Sequence, residues 1–253
     1  MTMSRTAARA SICALAVLAV ASTGCRRFKN LYGRDAEISM GQDFAKEFER
    51  DAKSPKAIHS GAQHQRLQRV AARILPLAKS DWDVPYSVTL LDTDEVNAFA
   101  VPGGPIYFNR GLMDLVESDD EVAAVLGHEA THIVKRHSAR QMSDSALKGA
   151  IAEVLLSRSG KTAQALARIG LEVKSLEFGR GDESESDRIG FGYLVRAGYS
   201  PDAMASFFRK LQKKAGDGNR KMAFLNSHPL TSARIEAAER MAADYRAQGR
   251  TTP

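Results

Sequence analysis

The sequence predicts an α+β fold that is mainly helical, and three observations lead to this class. Hydrophobic residues make up 43% of the 253 residues, which is enough to bury a sizeable core. Apolar residues recur at helical spacing in most of the chain, beginning with Asp35–Lys53 and Gln63–Ala78. Between residues 86 and 108 the spacing changes to the alternation that is typical of strands. We therefore expect helices packed around one small sheet.

Three short strands account for this change of spacing. Tyr86–Leu91, Val96–Val101 and Ile106–Phe108 are rich in β-branched and aromatic residues. The sequence Pro-Gly-Gly-Pro at Pro102–Pro105 separates the last two and predicts a turn between them. A small sheet is therefore expected here, with helices in the rest of the chain.

Helical spacing returns after the strands. Ser118 and Glu121 have the spacing of a capping box, which places a helix start just before Val122 and carries the helix to about Arg136. The later helices are two Ala/Leu-rich stretches between residues 139 and 178, Asp182–Val195, one capped by Ser200-Pro201, and Thr231–Arg246. Residues 35–253 are expected to form a single domain.

Residues 1–24 have the composition of a secretory signal peptide. A polar start with two arginines precedes the apolar run Ile12–Ala21, which is too short to span a bilayer comfortably. Small residues then lead to Cys25, as in the lipobox of a bacterial lipoprotein, although Ser22 stands where a large apolar residue is usual. An ordinary cleaved signal peptide followed by a chance cysteine is the alternative.

Acylation at Cys25 would anchor the mature chain in a membrane, with residues 25–34 as a tether. Because Arg26 rather than aspartate follows the cysteine, we expect an outer-membrane lipoprotein of the cell envelope that faces the periplasm, assuming a Gram-negative source. Cys13 would leave with the signal peptide, so the mature chain would form no internal disulfide. No later window approaches the run of about 18 apolar residues that a transmembrane helix needs.

The charge pattern disfavours a nucleic-acid partner. The net charge is +6, but basic residues alternate with acidic ones, as in Lys46–Arg50, and aromatic residues are only 7% of the chain. A stripe of basic and aromatic residues, which nucleic-acid-binding proteins use, is not found. The sequence does not indicate an oligomeric state.

The segment Val125–Val134, VLGHEATHIV, has the spacing of a zinc hydrolase. His128 and His132 are four residues apart, so on a helix both imidazoles project from one face and can bind one ion. Glu129 lies about 100° round the helix and can reach a water molecule on that ion. Apolar neighbours indicate a buried helix, in which imidazoles need partners. The pattern therefore predicts one zinc ion, with Glu129 as the general base.

A catalytic zinc site needs a third protein ligand. His137 is a poor candidate because it lies about 140° round the helix from His132, with no glycine between them; we expect it behind a ligand or at the surface. Glu183 and Asp187 share a helix face further along the chain. The glutamate could bind zinc while the aspartate orients a ligating imidazole. A solvated acidic helix is the alternative for this stretch.

Four ordered segments resemble one known family. They are Asn97–Tyr107, the sequence HEATH at residues 128–132, Arg180–Gly190 and Ser227–Ile235. Together they resemble the HExxH zinc metallopeptidases that include HtpX, the CAAX prenyl proteases and BepA. Because no transmembrane segment is expected, the secreted lipoprotein branch of that family is the better match. The resemblance implies a zincin-like (gluzincin) metallopeptidase domain with the small sheet beside the HExxH helix.

The resemblance also implies roles for particular residues. Glu183 would be the third zinc ligand, and the activity would be endopeptidase hydrolysis of misfolded or misassembled envelope proteins. His228 and Arg234 lie in the segment that resembles the family's HP motif and are candidates for stabilising the oxyanion. His228 could instead fill the fourth position on zinc in a resting state.

Substrate binding is expected at the predicted strand before the Pro-Gly-Gly-Pro turn. Asn97, Ala98, Phe99 and Ala100 should lie at the lip of the cleft with one strand edge unpaired. An extended protein or peptide substrate would then add to that edge through backbone hydrogen bonds. Selectivity for substrate side chains should therefore be loose.

Two other functions remain open. A zinc aminopeptidase would need an acidic group for the free amine of the substrate, and its obvious candidate, Glu185, is also explained as helix surface. An envelope scaffold or chaperone with structural zinc is favoured if protein ligands fill all four positions on the ion. The sequence reveals neither the physiological substrate nor an activating signal.

Overall fold

The computed structural model describes residues 31–144, 177–216 and 222–249. The predicted signal peptide, Cys25, most of the tether and much of the two Ala/Leu-rich stretches lie outside the described residues. Within them, helices predominate around one small sheet, so the predicted α+β, mainly helical class is confirmed. None of the described helices combines the length and the apolar character needed to cross a membrane.

The described helices and strands follow the order that the sequence predicts, with three short additions. The helices are α1 (Arg34–Arg50), α2 (Ala62–Asp81), α3 (Arg110–Leu115), α4 (Asp119–Val134), α5 (residues 137–144), α6 (Arg180–Arg196), α7 (Ala203–Gly216), α8 (Phe224–Ser227) and α9 (Ser232–Ala247). The strands are β1 (Ala57–Ile58), β2 (Ser87–Leu91), β3 (Ala98–Ala100) and β4 (Pro105–Asn109). The elements α3, α8 and β1 were not predicted, because they are too short to show a period.

The four strands form one mixed sheet in the order β1-β2-β4-β3. Strands β2 and β4 run parallel, with Leu90 opposite Phe108, whereas β1 and β3 run antiparallel to their neighbours. The chain passes through β3 before it turns back into β4. Because β3 is the last strand in the order, it lies at the edge of the sheet, next to α4.

The turn at Pro102–Pro105 needs its two glycines. Gly103 and Gly104 have φ values of 86° and 129°, which residues with side chains rarely adopt. A Cβ atom on Gly103 would lie 2.0 Å from the backbone oxygen of Glu37 in α1. The turn thus allows α1 to approach the sheet closely.

Helix α1 covers one face of the sheet with aromatic side chains. Phe44 and Phe48 pack on Tyr107 with ring centroids 5.7 and 5.2 Å apart, and Phe44 also contacts Phe99. These residues form an apolar cluster separate from the main core. The predicted amphipathic character of α1 is therefore confirmed.

Helix α4 lies at the centre of the main core. Every residue from Glu121 to Ile133 is buried. The Ser118 hydroxyl accepts a hydrogen bond from the Glu121 backbone N–H at 3.2 Å, as the predicted capping box requires. The Glu121 carboxylate accepts from the Glu117 backbone N–H at 2.8 Å and pairs with Lys210 of α7 at 2.7 Å. The acidic residue of the cap therefore also fixes α4 to α7.

Helices α4 and α6 cross at two glycines. A Cβ atom on Gly127 would lie 2.8 Å from the backbone oxygen of Gly190, and one on Gly190 would lie 2.8 Å from the backbone carbon of Gly127. Interiors packed this closely have no room for an added methyl group. The two backbones therefore touch directly, and the residues flanking the crossing come close together.

Helix α4 ends at Val134, two residues before the predicted end. Arg136 follows with a φ of 58° and is the one described residue other than glycine with positive φ. Its side chain forms an ion pair with buried Glu37 at 2.6 Å and lies over the Trp82 ring at 4.8 Å. These contacts offset the left-handed conformation, which costs about 1–2 kcal/mol. The chain turns there, and α5 begins at His137.

Substitution of Gly190 by alanine tests the crossing. The added methyl group would meet the Gly127 backbone and force α6 away from α4, so the free energy of unfolding should fall by about 1–3 kcal/mol. Gly192→Ala in the same helix is the matched control, because its Cβ would meet no other group within 4 Å and alanine is the better helix former. Urea unfolding measures both variants, and equal stability would contradict the close crossing.

Candidate metal centre

Three histidines and a glutamate converge beside the crossing of α4 and α6. His128 and His132 project from α4, Glu183 from the first turn of α6, and His228 from the residue after α8. All four are buried, and one potential ligand atom of each lies within 4.8 Å of the others. The structure thus brings together the three ligands that the sequence suggests and places His228 beside them.

The donor atoms of the three suggested ligands face one another. His128 Nε2 and His132 Nε2 are 3.1 Å apart. Glu183 Oε1 lies 3.4 Å from His132 Nε2, and Glu183 Oε2 lies 3.6 Å from His128 Nε2. Burial would raise the pKa of Glu183, but the charges of His128 and His228, when these rings are protonated, outweigh it and hold that pKa well below its ordinary value. Two imidazole nitrogens and an ionised carboxylate therefore surround one small space.

Asp187 orients His128 from behind. Asp187 Oδ1 lies 2.9 Å from His128 Nδ1, and because a carboxylate only accepts, Nδ1 carries the proton of a neutral ring and Nε2 keeps its lone pair. Arg234 donates to both oxygens of Asp187 at 2.7 Å. Burial would raise the pKa of Asp187, but Arg234 and His128 outweigh it and hold that pKa below its ordinary value. The carboxylate therefore stays ionised.

His132 has a second imidazole behind it. His137 Nδ1 lies 2.9 Å from His132 Nδ1, and the ring centroids are 4.8 Å apart. The turn at Arg136 produces this contact, because in a continuous helix the two side chains would point in different directions. His137 is 1% exposed, so it lies behind His132, a suggested ligand, and the expected position at the surface is wrong.

This set of donors suits zinc. Zinc binds imidazole nitrogen and carboxylate oxygen, usually four donors in a tetrahedral arrangement, and the cluster offers three imidazoles and one carboxylate. His128 and His132 both use Nδ1 for hydrogen bonds on the far side of the ring, which leaves their Nε2 atoms for an ion. The residues present therefore fit a zinc ion.

Glu129 lies beside the cluster with its oxygens unused. The residue is 1% exposed, and neither carboxylate oxygen makes a hydrogen bond with another described residue. Burial raises the pKa of Glu129 above its ordinary value, and the nearby rings of His228 and His128 oppose this shift only in part. A buried carboxylate without a donor is costly. It is therefore placed to accept from a molecule that enters the site.

His228 occupies the space between the suggested ligands and Glu129. Its Nδ1 lies 2.9 Å from Glu183 Oε1 and 3.2 Å from His128 Nε2, while its Nε2 lies 3.4 Å from Glu129 Oε1. One imidazole thus contacts both a suggested ligand and the suggested base. His228 Nδ1 thus lies among the donor atoms of the cluster, where it donates to Glu183 when it carries a proton and could bind an ion when it does not.

Two phenylalanines hold the His228 ring, and sequence analysis identified neither. Phe178 and Phe224 stack on it with ring centroids 5.2 and 4.5 Å away and interplanar angles of 28° and 25°. Phe178 also lies 4.0 Å from the His132 ring. Their positions just before two of the recognised segments were the available signal, but spacing alone does not relate them to the histidines.

Arg234 is engaged within the protein. In addition to Asp187, it contacts Glu183 Oε2 at 2.5 Å and donates to the backbone oxygen of Pro229 at 3.0 Å. The residue is 6% exposed. All three guanidinium nitrogens therefore bind protein oxygens, which differs from the free oxyanion donor that the sequence suggested.

Strand β3 presents one edge next to Glu129. Asn97 and Val101, on either side of it, make backbone hydrogen bonds to the β4 side of 3.0 and 2.8 Å. In an antiparallel pair the bonding direction alternates, so Ala98 and Ala100 point their N–H and C=O groups to the outer edge. That edge pairs with no other strand among the described residues, but Ala98 is 0% and Ala100 is 6% exposed. Both residues thus lie in the core and not at the lip of a cleft, where the sequence analysis expected them. The Ala100 N–H, although outside hydrogen-bonding geometry, lies close enough to favour the ionised form of Glu129.

Comparison with known proteins finds similarity to a family of peptidases. The family model described as Peptidase family M48 matches residues 61–242. The chain is 29% identical over 220 residues to the beta-barrel assembly-enhancing protease of Escherichia coli (strain K12), covering 83% of this chain and 44% of that protein. It thus spans less than half the length of that relative.

Two further relatives are metalloproteases by name. The mitochondrial metalloendopeptidase OMA1 of Schizosaccharomyces pombe is 29% identical over 219 residues, which cover 85% of this chain and 63% of that protein. Metalloprotease LoiP of Escherichia coli (strain K12) is 28% identical over 228 residues, with 88% of both chains covered. Because the family model matches most of its length, the chain belongs to peptidase family M48.

Proposed function

We propose that this protein is a zinc-dependent endopeptidase of the cell envelope. The observation that carries the proposal is the convergence of His128, His132 and Glu183 beside Glu129, a buried carboxylate whose oxygens make no hydrogen bond of good geometry within the described residues. Membership in a peptidase family and relatives named as metalloproteases support it. A structural ion alone would leave the position of Glu129 unexplained.

In this proposal His128, His132 and Glu183 are the zinc ligands and Glu129 is the general base. A zinc ion bound there would lower the pKa of a bound water molecule and polarise the scissile carbonyl. Glu129 would accept a proton from the attacking water molecule and pass it to the leaving amine. Its burial strengthens the interaction with the water because few other dipoles compete for it.

Asp187 and Arg234 position the ligands. Asp187 fixes the proton of His128 on Nδ1, and Arg234 keeps Asp187 and Glu183 ionised and in place. We therefore assign Arg234 to orientation of the ligands in place of oxyanion stabilisation. Its bidentate contact with Asp187 is the geometry in which arginine binds carboxylates most strongly.

We assign His228 to the fourth ligand position in a resting state. Its Nδ1 lies among the donor atoms of the cluster, and its Nε2 reaches towards Glu129. While His228 holds that position, a water molecule cannot occupy it, and Glu129 has no water proton to accept. Hydrolysis then requires that the ring move out from between Phe178 and Phe224.

The unpaired edge of β3 is the proposed binding site for the peptide, and binding there requires that the groups that cover Ala98 and Ala100 move aside. Ala98 directs its backbone groups to this edge, which lies next to α4 and Glu129. An extended substrate that pairs with the edge would pass beside the general base. Backbone pairing does not depend on side-chain identity, which suits unfolded segments of many proteins.

Misfolded or misassembled envelope proteins are the proposed substrates, and acylated Cys25 is the proposed outer-membrane anchor on the periplasmic side. The signal-like composition of residues 1–24 supports the anchor. The relative named as a beta-barrel assembly-enhancing protease supports a role in the envelope. Release of the Cys25→Ala protein from membranes would be the direct test of the anchor.

A structural zinc protein is the second candidate, because His228 supplies a fourth protein donor. Zinc analysis combined with casein cleavage, with and without a chelator, separates the two functions. Stoichiometric zinc with cleavage that the chelator abolishes supports the protease. Stoichiometric zinc without cleavage, even when His228 is replaced, would favour the structural role.

Substitutions of Glu129 and Glu183 should have different effects on zinc binding and activity. Glu129→Gln keeps the shape of the side chain but cannot accept the water proton, so kcat should fall by about a hundredfold or more while zinc content is unchanged. Glu183→Ala removes a ligand and should lower zinc affinity as well as activity. Metal analysis and peptide cleavage measure the two effects. Loss of zinc in Glu129→Gln would contradict the division of roles.

Replacement of His228 by alanine should raise basal proteolysis. The change frees the fourth position and the approach to Glu129, while the three proposed ligands stay in place. His59→Ala is the matched control, because His59 is exposed and belongs to no described cluster at the site. If His228→Ala instead lowered turnover by about a hundredfold, the residue would be an oxyanion donor and the resting-state role would be wrong.

Ala98→Pro should weaken peptide binding at the unpaired edge of β3. Proline removes the outward N–H of that residue but leaves the hydrogen bonds between β3 and β4 intact. We expect a higher KM for peptide substrates with zinc content retained, whereas Ala98→Ser keeps the N–H and should retain the KM. An unchanged KM in a folded Ala98→Pro protein would argue against strand addition.

A further inference from the structure

A group of polar side chains lies directly behind His132. His137, Asp182 and Glu185 place potential ligand atoms within 4.8 Å of one another. Lys135 lies 3.1 Å from Glu185, and Arg140 lies 3.1 Å from Asp182, so each carboxylate already has a cationic partner. The group is therefore poorly suited to a second metal ion. Through His137, however, the group contacts His132, a proposed ligand of the zinc ion.

The hydrogen bonds in this group have a defined direction. Glu185 Oε2 lies 3.0 Å from His137 Nε2, and because a carboxylate only accepts, the proton of a neutral His137 ring is on Nε2. His137 Nδ1 is then an acceptor, so the partner 2.9 Å away, His132 Nδ1, carries a proton. The Ser186 hydroxyl, 3.3 Å from His137 Nδ1, can donate to the same atom.

We propose that His137 and Glu185 are positioning residues that set the tautomer of His132. The chain of hydrogen bonds runs from His132 Nδ1–H to His137 and from His137 Nε2–H to Glu185. It leaves the Nε2 lone pair of His132 directed at the metal cluster. This inference rests on the proposed function, since it assigns a purpose to the group behind one of the proposed zinc ligands.

The two suggested imidazole ligands thus use different supports. A carboxylate touches His128 directly, whereas a neutral imidazole stands between His132 and its carboxylate. The buried centre already contains Glu129, Glu183 and Asp187. The side chain of Glu185 is 30% exposed, so its charge is solvated by water and paired with Lys135 instead of adding to the buried charge. Its effect still reaches His132 through His137.

Arg136 makes this arrangement possible. Its left-handed conformation ends α4 and brings the His137 ring back against His132. The Arg136 side chain is held by Glu37 and Trp82, which belong to neither the ligands nor the group behind them. A contact with the N-terminal helix therefore contributes to the geometry of His132.

Zinc affinity of substituted proteins tests the proposal. His137→Phe removes the acceptor from His132 and should weaken zinc binding by about 10- to 100-fold in a chelator competition assay. His137→Asn places an amide oxygen where Nδ1 stood and should restore most of the affinity. Glu185→Ala should weaken binding less, because His137 remains but its direction is no longer fixed. Glu236→Ala, an exposed carboxylate on α9, is the control for lost charge.

The tautomer itself provides the second measurement. In the metal-free wild-type protein, imidazole ¹⁵N NMR should find the proton of His132 on Nδ1, and in Glu185→Ala it should find a mixture of tautomers. A proton on His132 Nε2 in the wild type would overturn the proposal. So would full zinc affinity in both His137→Phe and Glu185→Ala, or a second zinc ion that Glu185→Ala removes.

The results distinguish this proposal from the proposed function. If the protease assignment is wrong, the wild-type protein will lack zinc-dependent cleavage, whatever the behaviour of His137. If only the positioning role is wrong, the wild type will bind zinc and cleave peptides, and its zinc affinity will not depend on His137 or Glu185. Thermal unfolding of each variant separates both outcomes from loss of fold.

Discussion

The geometry of the candidate site depends on the contact between the backbones of Gly127 and Gly190. His128 follows Gly127 in α4, and Asp187 lies about one turn before Gly190 in α6. The side chains of aspartate and glutamate are short, so they reach an imidazole on a neighbouring helix only where the helix axes are close. The absence of a Cβ atom at both positions provides that distance. The contacts of Glu183 and Asp187 with the histidines of α4 follow from this crossing.

The crossing concentrates negative charge in the core. Glu129, Glu183 and Asp187 are all buried, and Arg234 is the guanidinium that pairs with two of them. Such an arrangement is costly unless additional positive charge or hydrogen-bond donors are supplied. Metal binding at sites of this kind is linked to folding, because the unfolded chain has no preformed site. Zinc and the packing of α4 against α6 are thus expected to stabilise each other.

The sequence predicted one part of the site from local periodicity and another part, His228 and Arg234, from the family resemblance. Helical spacing alone relates His128 to His132 and Glu183 to Asp187, and the capping sequence at Ser118 fixed the start of α4. The contact of His137 could not be predicted, because the turn at Arg136 is stabilised by Glu37 and Trp82 from distant segments. The parallel pairing of β2 with β4 could likewise not be predicted, because the residue pattern identifies strands but not the strands with which they pair.

The contact between Glu37 and Arg136 has a consequence for the extent of the cooperative folding unit. The family model matches residues 61–242, whereas α1 precedes that range and still packs on the sheet and holds Arg136. A fragment trimmed to the family boundaries would expose the aromatic face of the sheet and lose the ion pair that supports the turn before His137. Homology defines the part of the chain that relatives share. Packing defines the part that must be present for that shared region to adopt its native shape.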